Sequence, residues 1–542
     1  MATDFMSTVD PSSSSGVPIT IVWFKRDFRI RDHYPLAIGV QSGPVLPLWI
    51  VEPRWWNSPE MDRSHFLFAK ASALELCDKL RNIGGELVVR IGDAVETFEQ
   101  LSKQFAIAQI LSHEETGGQW TYRRDKQVGA WCRSRGIAWK EFRQDGVVRR
   151  LPDRDRWSVH WQGWAQSRQA PGVQRIELPE GLATSAARRE LCVTDGELED
   201  FAKSLPDVSF ANGIEPDRLQ EGGEDRAHGL LESFLDHRGI DYRRSMSSPI
   251  SAQASCSRLS PYLAWGCINI RQVYQRLSSA RSDSPWGASL SSFRSRLSWH
   301  CHFMQKLEDE PELEFRNLSR AYDGLREDSF SQERFEAWCR GQTGFPMIDA
   351  CMRYLHKTRW INFRMRAMLV SFASYDLWLH WPKPAEFLAR NFLDFEPGIH
   401  FPQVQMQSGV TGINTIRIYS PEKQGKDQDP DGVFVREHLP ELGNVPLQRL
   451  WTPWKMSQDE QKRYGCILGR DYPRPLVDHQ EAVGQAKERL YAVRGSSQAQ
   501  QMAKEVAKKH ASRKRRDPIP SVRKPRKGNP DQPFLPGFEQ EG

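Results

Sequence analysis

Ile19-Thr20-Ile21-Val22-Trp23-Phe24 is the first of five short apolar runs that decide the fold of the opening third of the chain. The others are Val45–Val51, Leu87–Ile91, Ile107–Leu111 and Ala138–Phe142, with helical periodicity between them. Runs of this length alternating with helices predict a parallel sheet covered on both faces. An α/β domain over residues 18–150 follows. No G-x-G-x-x-G opens its first helix, so the ordinary dinucleotide fingerprint is missing.

Outward from that domain the pattern changes twice. Residues 151–222 are polar and punctuated by Pro and Gly, with Trp157, Trp161 and Trp164 spaced through them. They read as a connector lying over the surface and pinned by aromatics. From 223 to 495 the apolar spacing becomes helical, as in Ile348, Met352 and Leu355, and predicts an all-α domain. Residues 1–17 are Ser-rich and read as disordered. From Ser496 onward eleven Lys/Arg face five acids, which accounts for the whole formal charge of +6. A basic, Pro-rich tail over 496–542 is expected to be disordered and to attract polyanions by counterion release.

Composition closes off several classes. A chain of 542 residues with 39% hydrophobic and 27% charged residues is an ordinary globular protein of several domains. No run reaches membrane-spanning length and the N-terminus lacks a signal-peptide core, so a soluble cytoplasmic protein is expected, nuclear in a eukaryote. The nine cysteines are scattered without a C-x-x-C pair, which argues against zinc or an iron–sulfur cluster. Seven of the 19 tryptophans fall in the stretch from Trp265 to Trp381, and flat aromatic surfaces suit flavins and nucleobases as well as cores.

The chemistry concentrates in Trp360-Ile361-Asn362-Phe363-Arg364-Met365-Arg366 and Asp394-Phe395-Glu396-Pro397-Gly398-Ile399-His400. Charges set among apolar and aromatic residues each need a specific partner. Asn362 is placed to cap a helix, on which Arg364 and Arg366 point about 200° apart. One arginine can therefore turn inward while the other turns out. Upstream, Ser255-Cys256-Ser257-Arg258-Leu259-Ser260-Pro261-Tyr262-Leu263 combines hydroxyls with a helix start, a turn suited to a pyrophosphate.

Together these segments resemble the photolyase/cryptochrome family, as do Val22–Arg29, Gly344–Ala350 and Arg417–Pro421, in family order over residues 19 to 490. The resemblance implies FAD held by the helical domain, with Tyr242, Cys256, Ser257, Arg258, Leu259 and Ser260 at its diphosphate. It places Arg366, Asp394, Phe395, Glu396 and His400 at the flavin, with His300, Trp360 and Phe363 beside it, and gives Arg366, Asp394 and His400 the catalytic positions. Trp299, Arg296, Arg364 and Met406 fall on the DNA and lesion side, and Glu115 matches a carboxylate that contacts a pterin antenna. A pterin or deazaflavin antenna is carried by many members. The implied partner is DNA bearing pyrimidine photolesions, acted on by a monomer without a membrane.

The same resemblance exposes departures. Arg296 stands where many pyrimidine-dimer enzymes have a glutamate, Phe363 replaces a polar residue, Met406 replaces an aromatic wall, and His400 stands where repair enzymes usually carry Asn. Of the electron-feeding tryptophan triad only the middle member is matched, by Trp381, with Val404 and Asp328 at the other two places and Trp378 as an alternative donor. Light-driven repair of cyclobutane pyrimidine dimers is the leading expectation. A photoreceptor without repair, or a (6-4) lesion enzyme, is the alternative.

Overall fold

The computed structural model describes residues 17–182, 184, 191–208, 219–280 and 286–511. Strands β1 (Ile19–Phe24), β2 (Val45–Val51), β3 (Val88–Ile91), β4 (Ile107–His113) and β5 (Ala138–Phe142) form one parallel sheet in the order β3-β2-β1-β4-β5. β1 is buried along its whole length, and Trp23 lies between Leu48 of β2 and Ser112 of β4. Its alternating side chains serve two cores. Ile19, Ile21 and Trp23 pack with Phe98 and Trp131 of α3 (Ala94–Ser102) and α4 (Gln119–Ser134), flanked in sequence by α1 (Tyr34–Gly39) and α2 (Arg63–Asn82). Val22 and Phe24 belong to a second core that runs on without a break into the helical domain. That is why β1 is apolar at every position but Thr20 rather than at every other one.

The strand order reverses between β1 and β4, which opens a crevice at their C-terminal ends. The helical domain docks there. Arg26 donates to the carbonyls of Ala264 (2.9 Å) and Phe395 (2.8 Å), and Arg29 donates to Gly266 (2.9 Å). Asp32 accepts two bonds from Arg271 (2.9 and 2.6 Å) and one from Asn269 (2.6 Å). At Gly266, with φ +64°, a Cβ would lie 2.1 Å from the Arg26 carbonyl oxygen, so the two domains meet backbone to backbone.

The connector's tryptophans sit on α5 (Trp157–Gln166), 6–7% exposed and part of the main core, in a segment whose other residues are mostly exposed or half-buried, and α6 (Asp195–Ser204) follows. A helix repeat brings the three rings to one face, which pins the segment. One expectation is corrected: the tail does not begin as disorder at 496. Residues Ser497–His510 form a helix that buries Val506 with Leu307, Leu313 and Leu318, an apolar spacing that the charge count obscured. Residues 1–16 and 512–542, which hold the rest of both expected disordered segments, lie outside the described residues.

The helical domain supplies α7 (Ser260–Ala264), α8 (Trp286–Asp309), α9 (Pro346–Thr358), α10 (Phe363–Ser371), α11 (Pro382–Asn391) and α12 (Pro397–Gln407), and the C-terminal helix is α13 (Ser497–His510). α8 and α12 pack face to face. Gly398 permits this, because a Cβ there would stand 2.7 Å from the Met304 Cα. No described helix is long and apolar enough to cross a membrane.

Candidate functional site

Arg366 and Asp394 meet as a two-pronged pair, Nη1 to Oδ1 at 2.9 Å and Nη2 to Oδ2 at 2.8 Å. Arg366 also donates from Nε to the Ile361 carbonyl (2.7 Å) and lies 4.1 Å above the Phe392 ring. Burial alone would push the Asp394 carboxyl up, yet Arg366 and the Ser260 hydroxyl hold it below the usual range. The carboxylate is therefore ionised in a dry place. Arg364 leaves α10 on another face, where its one bond is to Gln424 at 3.5 Å and its Nε is buried without a partner. No carboxylate pairs with it among the described residues. Asn362 occupies the cap position by its backbone, but its side chain instead donates to the carbonyls of Met246 (3.1 Å) and Ser247 (2.8 Å).

The turn before α7 is built differently from its sequence reading. Ser260 does start the helix, but its hydroxyl goes to Asp394, and five residues make only a weak helix dipole. Positive charge comes instead from two guanidinium groups. Arg258, at φ +61°, lies 4.0 Å over Trp360 and donates to Gln220 (3.0 Å). Arg238, which the sequence reading passed over, ties the turn together by donating to the carbonyls of Leu230 (2.9 Å), Ala254 (3.1 Å) and Cys256 (2.6 Å). Burial lowers both, and Arg258 lowers Arg238 further; neither has a carboxylate partner among the described residues. No motif marks Arg238. Only its backbone contacts across 16 to 18 residues reveal it.

Around this centre, Tyr242 is buried against Phe234 and Phe293, and Arg296 bonds its hydroxyl and touches the Met246 sulfur at 3.7 Å. Leu259 and Phe395 are buried, Ser257 nearly so, and Cys256 is a half-buried thiol pushed up by burial to about 12. His400 donates from Nε2 to the Ala385 carbonyl (2.8 Å) within a cage of Phe392, Phe395 and Phe401, and burial brings its imidazole down to about 4. It is thus the neutral Nε2–H tautomer, leaving Nδ1 as an acceptor. His300 is likewise lowered to about 4 by burial, and its Nδ1 has no partner. Trp299 and Met406 are half-buried, Trp299 standing edge-on to His302 at 4.9 Å, and Phe363 is 39% exposed.

With this geometry in view, relatives among known proteins were compared. Residues 20–151 match the family model described as DNA photolyase, and residues 293–492 match the FAD binding domain of DNA photolyase. A deoxyribodipyrimidine photo-lyase of Alkalihalophilus pseudofirmus is 27% identical over 84% of this chain and 95% of its own length. A cryptochrome DASH of Gloeobacter violaceus is 28% identical over 84% and 93%. The chain belongs to the photolyase/cryptochrome family. Among solved structures, a bacterial class III photolyase from Agrobacterium tumefaciens superposes with a TM-score of 0.74 at 25% identity, covering 90% of this chain and 100% of its own. A Synechocystis cryptochrome does so with 0.76 at 25%, covering 88% and 99%.

For a photolyase/cryptochrome protein the cofactor is FAD, and the residues fit it. Arg238 and Arg258 offer unpaired cations for a diphosphate, Asp394 stays ionised with Arg366, and the Nδ1 atoms of His300 and His400 are uncommitted. The antenna side fits less well. Glu115 is paired with Arg124 at 2.6 Å, and Arg124 also holds Glu52 at 2.8 Å. The crevice between the domains, lined by Lys25–Asp27, His113–Thr116, His300 and Glu396, has a volume of about 40 Å³. Ligand clefts usually offer roughly 300–1,000 Å³, so this space suits a few waters. Asp27 and His113 at its wall, with His33 behind them, have metal-like spacing, but both histidines are hydrogen-bonded to Asp27 Oδ2. Leu36 N–H donates to His33 Nδ1, so His33 Nε2 carries the proton it gives to Asp27.

Two electron-transfer candidates part company. Trp381 is 1% exposed, with its indole N–H on Asn317 (2.8 Å). Trp378 lies between the guanidinium groups of Arg326 (4.4 Å) and Arg489 (4.9 Å).

Proposed function

We propose that this protein repairs pyrimidine lesions in DNA by light-driven electron transfer from reduced FAD, with cyclobutane dimers as the substrate. The observation that carries this reading is the division between the two arginines of α10. Arg366 is saturated by Asp394 and Ile361, whereas Arg364 lacks a carboxylate and is half-buried near Arg417 and Tyr419. A desolvated cation without an acid is suited to a phosphate oxygen. Trp299, half-buried, is the aromatic side chain against which an extruded base would stack.

FAD, when bound, supplies the light-absorbing electron donor. The protein's own share is electrostatic and steric. Arg366 compensates negative charge beside the ionised Asp394, and the neutral His400 presents an acceptor rather than a proton. Phe392, Phe395 and Phe401 keep water from that ring. Arg364 and Trp299 position the DNA. An antenna chromophore at Glu115 would first have to displace Arg124, and the reading does not depend on one.

A receptor without repair has its own support in Phe363 and His400, and in the near-equal likeness to a photo-lyase and to a cryptochrome DASH. Binding of dimer-containing and undamaged duplexes across a salt series separates the two. Repair requires tighter binding of the damaged duplex, and Arg364→Gln should reduce the salt slope by about one unit. Equal affinity for both duplexes would favour the receptor reading.

A further inference from the structure

Away from the flavin side, where the 3-10 turn Arg154–Arg156, the end of α8 and the C-terminal helix α13 meet, one buried cation has no counter-charge and a second has only a distant one. Lys306 is 6% exposed and makes no ion pair or hydrogen bond among the described residues; its only close partner is the Phe303 ring, 4.7 Å from Nζ. Arg154 spends Nη2 on His302, at 2.8 Å to Nδ1 and 3.2 Å to the carbonyl. Its Nη1 is buried with no hydrogen bond, Asp309 standing off at 3.8 Å. Trp157, 5.0 Å under the Arg154 guanidinium, has a buried indole N–H with no acceptor. All three side chains are more than nine-tenths buried.

The surrounding acids do not close the account. Asp309 accepts from Gln305 (2.8 Å), and Glu310 is taken by Lys509 (2.8 Å) and His510 (2.7 Å) from α13. His302, lowered by burial, Lys306 and Arg154, stays neutral. Burial first, then Arg154, draws the Lys306 ammonium down to about 7. A buried donor left unmade is costly, and a buried charge more so. Here Lys306 has no anion, Arg154 Nη1 has one only beyond hydrogen-bond reach, and the Trp157 N–H has no acceptor.

We propose that Lys306, Arg154 and Trp157 form a binding site for a small tetrahedral oxyanion of the phosphate class. It lies between the start of the connector, the end of α8 and the C-terminal helix. Lys306 supplies a point charge, Arg154 a free guanidinium N–H, and Trp157 a fixed donor, with no proton or bond exchanged. The burial of all three groups selects a free anion over a phosphate carried on a polymer. Through Glu310 and His510, occupancy would also tighten the seat of α13. The site is independent of the photochemistry proposed above.

The test uses the full-length protein in phosphate-free buffer at pH 6.5, where Lys306 is charged, and constant ionic strength, titrated with inorganic phosphate. Saturable broadening of the ³¹P resonance and a rise in the thermal midpoint are expected. Lys306→Met should raise the midpoint without phosphate and weaken phosphate binding by at least tenfold. Trp157→Phe, which removes only the N–H, should weaken it several-fold and guards against a misfolded first variant. No saturable response in the wild type, an equal response in both variants, or a response to a short undamaged oligonucleotide but not to inorganic phosphate would each overturn the proposal.

Discussion

Replacing Asp394 with Asn is the most informative single perturbation of the site, because it leaves Arg366 charged and removes its partner. The pair has two bonds of 2.8–2.9 Å, with the side chains 5% and 22% exposed. Opposite charges about 4 Å apart interact by about 4 kcal/mol at an effective dielectric of 20. Removing one partner of a buried pair typically costs about 3–5 kcal/mol, since the survivor stays desolvated. Arg366 keeps its bond to Ile361, which favours the lower end. Asp394→Asn and Arg366→Met are therefore each expected to lose about 3 kcal/mol, and the double variant less than their sum, with a coupling of about 2–3 kcal/mol. Urea unfolding of the apoprotein, followed by tryptophan fluorescence, gives the four corners of the cycle. A coupling below about 0.5 kcal/mol would refute the reading of Arg366 and Asp394 as a strongly coupled buried ion pair.

The other expectations concern charge near the flavin side. Buried Arg326 should oppose a positive charge on Trp378 by about 4 kcal/mol, so Trp381→Phe should slow light-driven flavin reduction at least tenfold while Trp378→Phe changes it less than twofold; transient absorption decides, and the reverse order would exclude the Trp381 route. Burial lifts the Glu396 carboxyl to about 7 against an ordinary 4.5, with Arg26 at 3.5 Å opposing the shift. The folded state then holds the proton more tightly than the unfolded one, so this group's contribution to stability falls as pH rises from about 4.5 to 7; Glu396→Gln should flatten that slope and stabilise by about 3 kcal/mol above pH 7. An unchanged pH profile of the urea midpoint would count against it. Arg238→Gln should weaken FAD binding at least tenfold by flavin fluorescence, and an unchanged affinity would make Arg238 a purely local tie.

Much of this was legible in the sequence because the signals were local. β1 and β2 begin and end where their apolar runs do, since strands buried along their whole length leave little polar interruption to misread, and the limits of β5 agree although it lies half-exposed at the sheet edge. Arg364 and Arg366 separate because residues two apart on a helix point about 200° from each other, and the pairing of Arg366 with Asp394 followed from the resemblance. What stayed hidden depends on distant backbone. Ser260 bonds to Asp394, the Asn362 side chain bonds to the Met246–Ser247 loop instead of capping, and Arg238 reaches back to the turn, none of which leaves a spacing in the sequence. The C-terminal helix was masked by its own lysines: Ala499, Val506 and His510 are its buried residues, too few to show against the charge.

The central claim is that Arg364 and Trp299 bring a pyrimidine lesion to the flavin held by Arg366 and Asp394. It is tested most directly by illuminating the protein, with its FAD fully reduced, in the presence of an oligonucleotide carrying one cyclobutane thymine dimer, and measuring restored thymines. Light-dependent restoration that falls at least tenfold in Trp299→Ala is the predicted result. No restoration in the fully reduced wild-type protein would contradict it.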